Sequence, residues 1–260
     1  MMSTHAIAAR VAALRADPAF GSLHRSLAIY YGDPDREAAM DALYSRFLRP
    51  GALAFDIGAH VGDRIASFRR LGARVVALEP QPGPADVLQR LFGDDPNVTL
   101  LQSAVAAEEG RLILHINSAN PTVSTASETF VRAAEGAGGW KGQVWDRQLE
   151  VMATTLDALI ARHGCPAFVK IDVEGAEDAV LAGLSEPLAA LSFEFTTIQR
   201  EVALRCLDRL SVLGLYRYDI ALGEGQRLTF GRPVSKQEMA SHIMELPHSA
   251  NSGDVYAVLA

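Results

Sequence analysis

Four acidic residues close short apolar runs in this chain. They are Asp56 in LAFDI (53–57), Glu79 in VVALE (75–79), Asp172 in FVKIDV (168–173) and Glu194 in LSFEF (191–195). A carboxylate accepts hydrogen bonds from hydroxyl and ammonium groups, and it can take a proton as a general base. One such acid can be an oddity of packing. Four at one edge of a sheet repel each other unless something polar or cationic sits among them.

The first of these runs leads into a glycine loop, Asp56-Ile57-Gly58-Ala59-His60-Val61-Gly62-Asp63. Glycine lets a backbone turn tightly and lets a ligand approach it closely. The dinucleotide fingerprint G-x-G-x-x-G, started at Gly58, requires glycine where His60 and Asp63 stand, so a pyrophosphate ligand is disfavoured. No Gly-Lys-Ser/Thr follows, so the P-loop reading fails too. A nucleoside without phosphates remains, and S-adenosylmethionine is one. An acid about 20 positions beyond a glycine loop is where ribose hydroxyls are held. Glu79 lies 21 positions beyond Gly58. Asp56 is placed for the ligand's ammonium group. The plainer reading, a bare strand–helix turn, leaves Glu79 unexplained.

The elements that must position these residues follow from hydrophobic period. Residues 3–31 read as one or two short helices. Met40, Leu43, Tyr44, Phe47 and Leu48 mark one face of a helix over 37–48, stopped at Pro50-Gly51. Strands are predicted at 53–57, 75–79, 98–101, 111–116, 168–173, 191–195, 216–222, 227–230 and 254–259. Helices are predicted at 64–71, 86–92, from Thr155 to about 162, 176–184, 200–213, and after the capping box Ser235-x-x-Glu238. Short buried strands alternating with helices make a doubly wound α/β sheet, mostly parallel and covered on both faces. Ligands bind such sheets beyond the carboxyl ends of the strands.

Composition narrows the class. The chain has 260 residues, 31 acidic against 24 basic, and a net charge of −7. No non-specific grip on nucleic-acid phosphates is expected, and no apolar run is long enough to span a bilayer. The first twenty residues lack the continuous apolar core of a secretory signal. Cys165 and Cys206 are too few for a disulfide framework and suit a reducing compartment, so a cytoplasmic location is expected.

Taken together, DIGAHVGD (56–63), ALEP (77–80), TLDAL (155–159), VKIDVEGAED (169–178) and LSFEF (191–195) resemble the FkbM-type S-adenosylmethionine-dependent methyltransferases over residues 50–200, with a compatible tail to 260. The resemblance implies a Rossmann-like seven-stranded sheet whose last strand is inserted antiparallel. It divides the chain into an N-terminal helical segment (1–50) and a methyltransferase domain (51–260). It implies methyl transfer to a hydroxyl of a sugar, polyketide or similar small metabolite. By position, Gly58, Ala59 and Gly62 would line the methionine part of S-adenosylmethionine, with Asp56 near its amino group. Glu79 would hold the ribose, and Gln102, Ser103 and Ala104 would lie by the adenine. Asp172, Glu174 and Glu177 would edge the reaction centre. His60 and Arg64 depart from the family pattern, and 117–150 matches no part of it.

Methyl displacement needs an aligned nucleophile and, in many cases, a base. Asp172 and Glu174 are the favoured catalytic residues, ahead of Glu177, Glu194 and His60. Glu177 also reads as a solvated first-turn residue, and His60 as a loop histidine bonded to backbone. Lys170 is expected to pair with an acid or reach the sheet edge. Base methylation is disfavoured, because Asp172-Val173-Glu174-Gly175 lacks a Pro-Pro-aromatic sequence and Cys165-Pro166 has its order reversed. No metal ligands are assigned: the histidines show neither H-x-x-x-H nor H-x-H spacing. An acid-lined site still leaves room for Mg²⁺ or Ca²⁺. The stretch 117–150, rich in Ser, Thr and Asn with Trp140 and Trp145, is expected to form an acceptor lid. A non-catalytic S-adenosylmethionine-binding protein is the alternative reading.

Overall fold

The computed structural model describes residues 4–260. Helices α1 (Thr4–Ala16), α2 (His24–Tyr30) and α3 (Pro34–Tyr44) come first, with a 3-10 turn over Pro18–Leu23. Asp33 caps α3 by accepting the amides of Asp35 and Arg36, and Pro34 suits the first helical position. The helix expected over 37–48 stops at Tyr44, although Leu48 stays buried in the turn that follows.

The remainder alternates as β1 (Leu53–Ile57), α4 (Asp63–Arg70), β2 (Arg74–Leu78), α5 (Pro82–Phe92), β3 (Val98–Leu101), β4 (Ala104–Val105), β5 (Gly110–Ile116), α6 (Glu128–Ala134), β6 (Arg147–Thr154), α7 (Leu156–His163), β7 (Phe168–Ile171), α8 (Glu177–Ala182), β8 (Ala190–Thr196), α9 (Arg200–Leu213), β9 (Tyr216–Leu222), α10 (Lys236–Glu245) and β10 (Ser252–Leu259). Seven strands form one sheet in the order β3-β2-β1-β7-β8-β10-β9. β10 runs antiparallel to both its neighbours, and the strands from β3 to β8 pair in parallel. This is the expected doubly wound, seven-stranded α/β sheet with its last strand inserted.

The pleat sorts side chains between two cores. Leu53, Phe55, Ile57, Val169 and Ile171 face α7, α8 and α9. Ala54, Val75, Ala77 and Phe168 face the N-terminal helices with α4 and α5. Phe168 stacks on Phe47 at 4.8 Å and meets Tyr44 at 5.5 Å and Phe68 at 6.1 Å. Asp56 and Lys170, paired in register, lie on this second face at the carboxyl ends of β1 and β7. The strand order reverses between those two strands, and a crevice opens there.

Three expectations change. The run 111–116 does not join the main sheet. It pairs with β6 in a separate sheet of order β4-β6-β5. In β6, Leu149, Val151 and Ala153 turn inward while Gln148, Glu150 and Met152 stay exposed, an alternation hidden in the stretch left unplaced. Residues 227–230 make only an isolated bridge, because the Asp219 carboxylate accepts the Phe230 amide that a ladder would need. Helix α5 begins four residues earlier than expected, since Pro82 and Pro84 both fit a first turn. Among the described residues, no helix is long and apolar enough to cross a membrane.

Phe168→Ala should lower stability by about 3–5 kcal/mol, the usual cost of emptying a large aromatic site. For a chain of this size the melting temperature should fall by about 6–20 °C. Differential scanning calorimetry checks this.

Candidate functional site

A cleft of about 1030 Å³, its open mouth included, lies beyond the carboxyl ends of β1, β2, β7 and β8. Gly58 turns β1 toward it with φ +83°. A Cβ at Gly58 would stand 1.8 Å from the Asp172 carbonyl oxygen, so the loops after β1 and β7 can approach this closely only with glycine there. Gly62 has another task. It opens α4 in a left-handed conformation against Leu88 and Phe92, and it is not part of the cleft wall.

Asp56 is 1 % exposed, and its Oδ2 has no hydrogen-bond partner. Burial, with the charge of Asp63 nearby, pushes its pKa up to about 7. Glu79 is also buried. Its two oxygens accept the amides of His60 at 3.0 Å and Gln81 at 2.9 Å, which leaves lone pairs for a ligand. Burial raises Glu79 to about 7 against those two bonds. Ala59, Ser103 and Ala104 line the cleft, whereas Gln102 is exposed in a separate hollow beside α5.

Asp172, Glu174 and Glu194 meet in the cleft, with one oxygen of each within 4.8 Å of the others. Glu174 holds a left-handed backbone, φ +57°, in the turn after β7. The Lys170 ammonium, 1 % exposed, lies 2.9 Å from Asp172 and 2.7 Å from Asp254. Burial pushes Asp172 up, but Lys170 outweighs it and holds the carboxyl below its usual range. Glu174 and Glu194 go the other way. Burial, and the charge of Asp172, carry both well above the usual range.

Glu177 is 1 % exposed rather than solvated, and it accepts the amides of Val173 and Gly175. It therefore shapes the turn that carries Glu174. Burial lowers His60 to about 4, so its ring is neutral near pH 7. Its Nε2 lies 3.2 Å from the Thr122 hydroxyl.

Part of the 117–150 stretch folds over the cleft. Thr122, Ser124 and Ala126 line it, and the Thr125 hydroxyl donates to the Glu174 carbonyl at 2.6 Å. Trp140 and Trp145 do not face it. They pack edge-on against Phe130 at 4.9 and 6.1 Å, and Trp145 donates to the Val123 carbonyl. Their aromatic bulk braces the segment from behind, because burial against Phe130 outcompetes exposure at the mouth.

Sequence reasoning did not single out Asp254, Tyr30 or Glu224. Asp254 interrupts an otherwise apolar strand, which is a legible signal. Tyr30 and Glu224 line the cleft from distant segments. Glu224 pairs with Arg36 at 2.6 Å and Arg64 at 3.3 Å, and Arg36 also pairs with Asp63. The assignment of no metal ligands rested on histidine spacing, whereas folding assembles a three-carboxylate group that no spacing displays.

The sheet order, the glycine turn and the acid-lined crevice define the class of S-adenosylmethionine-dependent methyltransferases, and S-adenosylmethionine is the cofactor. Within that class the chain belongs to a particular family, since the methyltransferase FkbM domain matches residues 56–213. The 31-O-demethyl-FK506 methyltransferase FkbM of Streptomyces tacrolimicus is 29% identical over 181 residues, 58% of this chain and 67% of that protein. Similar solved structures include the O-methyltransferase from Bacillus cereus in complex with SAH, with TM-score 0.47 and 12% identity over 94% of this chain and 91% of that one. Precorrin-6y C5,15-methyltransferase from Geobacter metallireducens GS-15 gives TM-score 0.42 and 14% identity, covering 86% and 87%.

The raised carboxyls set a pH response. The stability they contribute is complete below the ordinary carboxylate range and is lost as pH rises through about 7. His60, whose pKa is lowered, contributes stability that is complete above about 6.5 and is lost as pH falls from there through about 4. From about pH 6.5 to 8 the acids therefore dominate, and the ligand-free protein should lose a few degrees of melting temperature. Glu79→Gln should flatten that slope in a thermal-shift series, and a flat wild-type profile would contradict the assignment.

Proposed function

We propose that the protein transfers the methyl group of S-adenosylmethionine to a hydroxyl oxygen of a small hydroxylated metabolite, such as a sugar or polyketide. The observation that carries this reading is the carboxylate cluster of Asp172, Glu174 and Glu194 on the cleft wall. Of the three, only Asp172 has an ammonium partner, Lys170, and so acid-rich a group is suited to hydroxyl hydrogens and poorly suited to the phosphates of a nucleic acid. The relative from Streptomyces tacrolimicus bears the name of a 31-O-demethyl-FK506 methyltransferase, which is consistent with an oxygen acceptor.

The cleft fits the cofactor on its own chemistry. Asp56 offers an unpartnered buried oxygen to an ammonium group. Gly58 and Ala59 shape the turn that receives the methionine part, and Gly62 opens the helix behind it. Glu79 has lone pairs for two ribose hydroxyls, and Ser103 and Ala104 flank the adenine side, with Gln102 outside the cleft. When bound, S-adenosylmethionine supplies a methyl group already activated on a sulfonium.

The chain must then align the acceptor oxygen and take its proton. Asp172, kept ionised by Lys170, accepts the hydroxyl hydrogen bond and orients the oxygen. Glu174 stands beside it to share the proton. Thr122 and Ser124 close the cleft from above and limit water.

Glu79→Ala should weaken S-adenosylhomocysteine binding by about 1.5–3 kcal/mol, the range for hydrogen bonds to a charged group. Isothermal titration calorimetry on the folded variant measures it. Asp172→Asn and Glu174→Gln should each lower kcat by about 10²–10⁴ while S-adenosylhomocysteine affinity stays near wild type. An acceptor screen with labelled methyl donor, followed by location of the label, tests the hydroxyl assignment. Label found on nitrogen or carbon would overturn it.

A further inference from the structure

We propose that Asp172, Glu174 and Glu194 form a binding site for a hard divalent cation, Mg²⁺ or Ca²⁺, that orients the acceptor through its oxygens. This rests on the hydroxyl-acceptor reading above and adds a ligand to the same cleft. The first ground is geometry. One oxygen from each of the three carboxylates lies within 4.8 Å of the others. Two oxygens on a common cation stand no further apart than twice the metal–oxygen distance, about 4.2 Å for Mg²⁺ and about 4.8 Å for Ca²⁺. The cluster therefore lies within the spread that a Ca²⁺ site allows.

The second ground is the state of the oxygens. Glu174 is 8 % exposed, and its Oε2 has no hydrogen-bond partner. The Oε2 of Glu194 is likewise buried and unpartnered. A buried acceptor left unpaired is costly, and such groups are regularly found to serve a ligand. Lys170 does not meet this need, because its ammonium is directed at Asp172 and Asp254.

The donor set decides which cation. It is three carboxylate oxygens with no thiolate or imidazole, the chemistry of Mg²⁺, Ca²⁺ and Mn²⁺ rather than of zinc or copper. Three ligands leave several coordination positions open, and the carboxylates line the cleft. Two neighbouring oxygens of one acceptor can fill such positions. The site thus selects acceptors whose reacting hydroxyl stands next to a second oxygen. Each carboxylate binds through one oxygen and keeps the other for hydrogen bonding.

The test uses the full chain, stripped with a chelator and exchanged into metal-free buffer. Mn²⁺ is titrated and followed by electron paramagnetic resonance, with Mg²⁺ and Ca²⁺ as competitors. The expected result is one saturable Mn²⁺ per chain, displaced by Mg²⁺ or Ca²⁺. Glu194→Gln and Glu174→Gln should each weaken it roughly tenfold or more, while the exposed Glu150→Gln leaves it unchanged. S-adenosylhomocysteine binding and the melting curve are recorded on the same samples. A folded wild-type protein that binds S-adenosylhomocysteine but no saturable Mn²⁺ overturns the cation site and leaves the methyl-transfer reading intact. Mn²⁺ binding that is equal in wild type and both folded cluster variants also overturns it. Saturable binding that depends on the cluster, without label on any hydroxyl, supports the cation site and removes the acceptor reading alone.

Discussion

The buried ammonium of Lys170 is the interaction on which the cleft depends. An isolated charge taken out of water is expensive, so it must be met by opposite charge at close range. Asp172 and Asp254 meet it, one from the turn after β7 and one from β10. Asp254 can do so only because β10 is inserted beside β8, one strand beyond β7. The chain reversal at the end of the sheet thus has an electrostatic consequence at its centre. Removing Lys170 would leave two carboxylates with no cation, in a region already crowded with acids.

That arrangement divides most of the acids at the cleft into two kinds, with Asp254 apart from both, raised by burial although the Lys170 ammonium is 2.7 Å away. Asp172, Asp63 and Glu224 have cations close by, and their carboxyls are held below the usual range despite burial. Asp56, Glu79, Glu174 and Glu194 have none close enough to compensate, and burial raises them. A ligand carrying positive charge is favoured by the second group, because binding relieves desolvation and repulsion together. Members of both groups line the same cleft and act together on whatever enters it.

Closure of the cleft comes from outside the central strands. Arg36 on α3 and Arg64 on α4 clasp Glu224, which follows β9, and so draw the far end of the chain over the pocket. The segment before α6 closes the other side through the Thr125–Glu174 contact, held by the Trp140–Phe130–Trp145 packing. Both closures join residues far apart in the chain, one by charge and one by aromatic burial.

The sequence by itself determined the alternation of strands and helices, since hydrophobic period is a local property that each segment carries. It determined the acids at the strand ends and the glycine turn at Gly58, where missing glycines argued against a pyrophosphate. Tertiary structure alone decided which acids meet. Asp254 lies 84 residues from Lys170, and no spacing rule announces that partnership. It also decided that β5 leaves the main sheet, because β6 offers an alternating partner that only folding brings alongside. Glu177 changed from an expected solvated residue to a buried clasp for the same reason. Two amides in the turn after β7 point at it, and their direction is set by the left-handed backbone at Glu174 and Gly175. Period and residue type act within a few residues, whereas burial, charge pairing and strand order act between segments that only the completed fold makes neighbours.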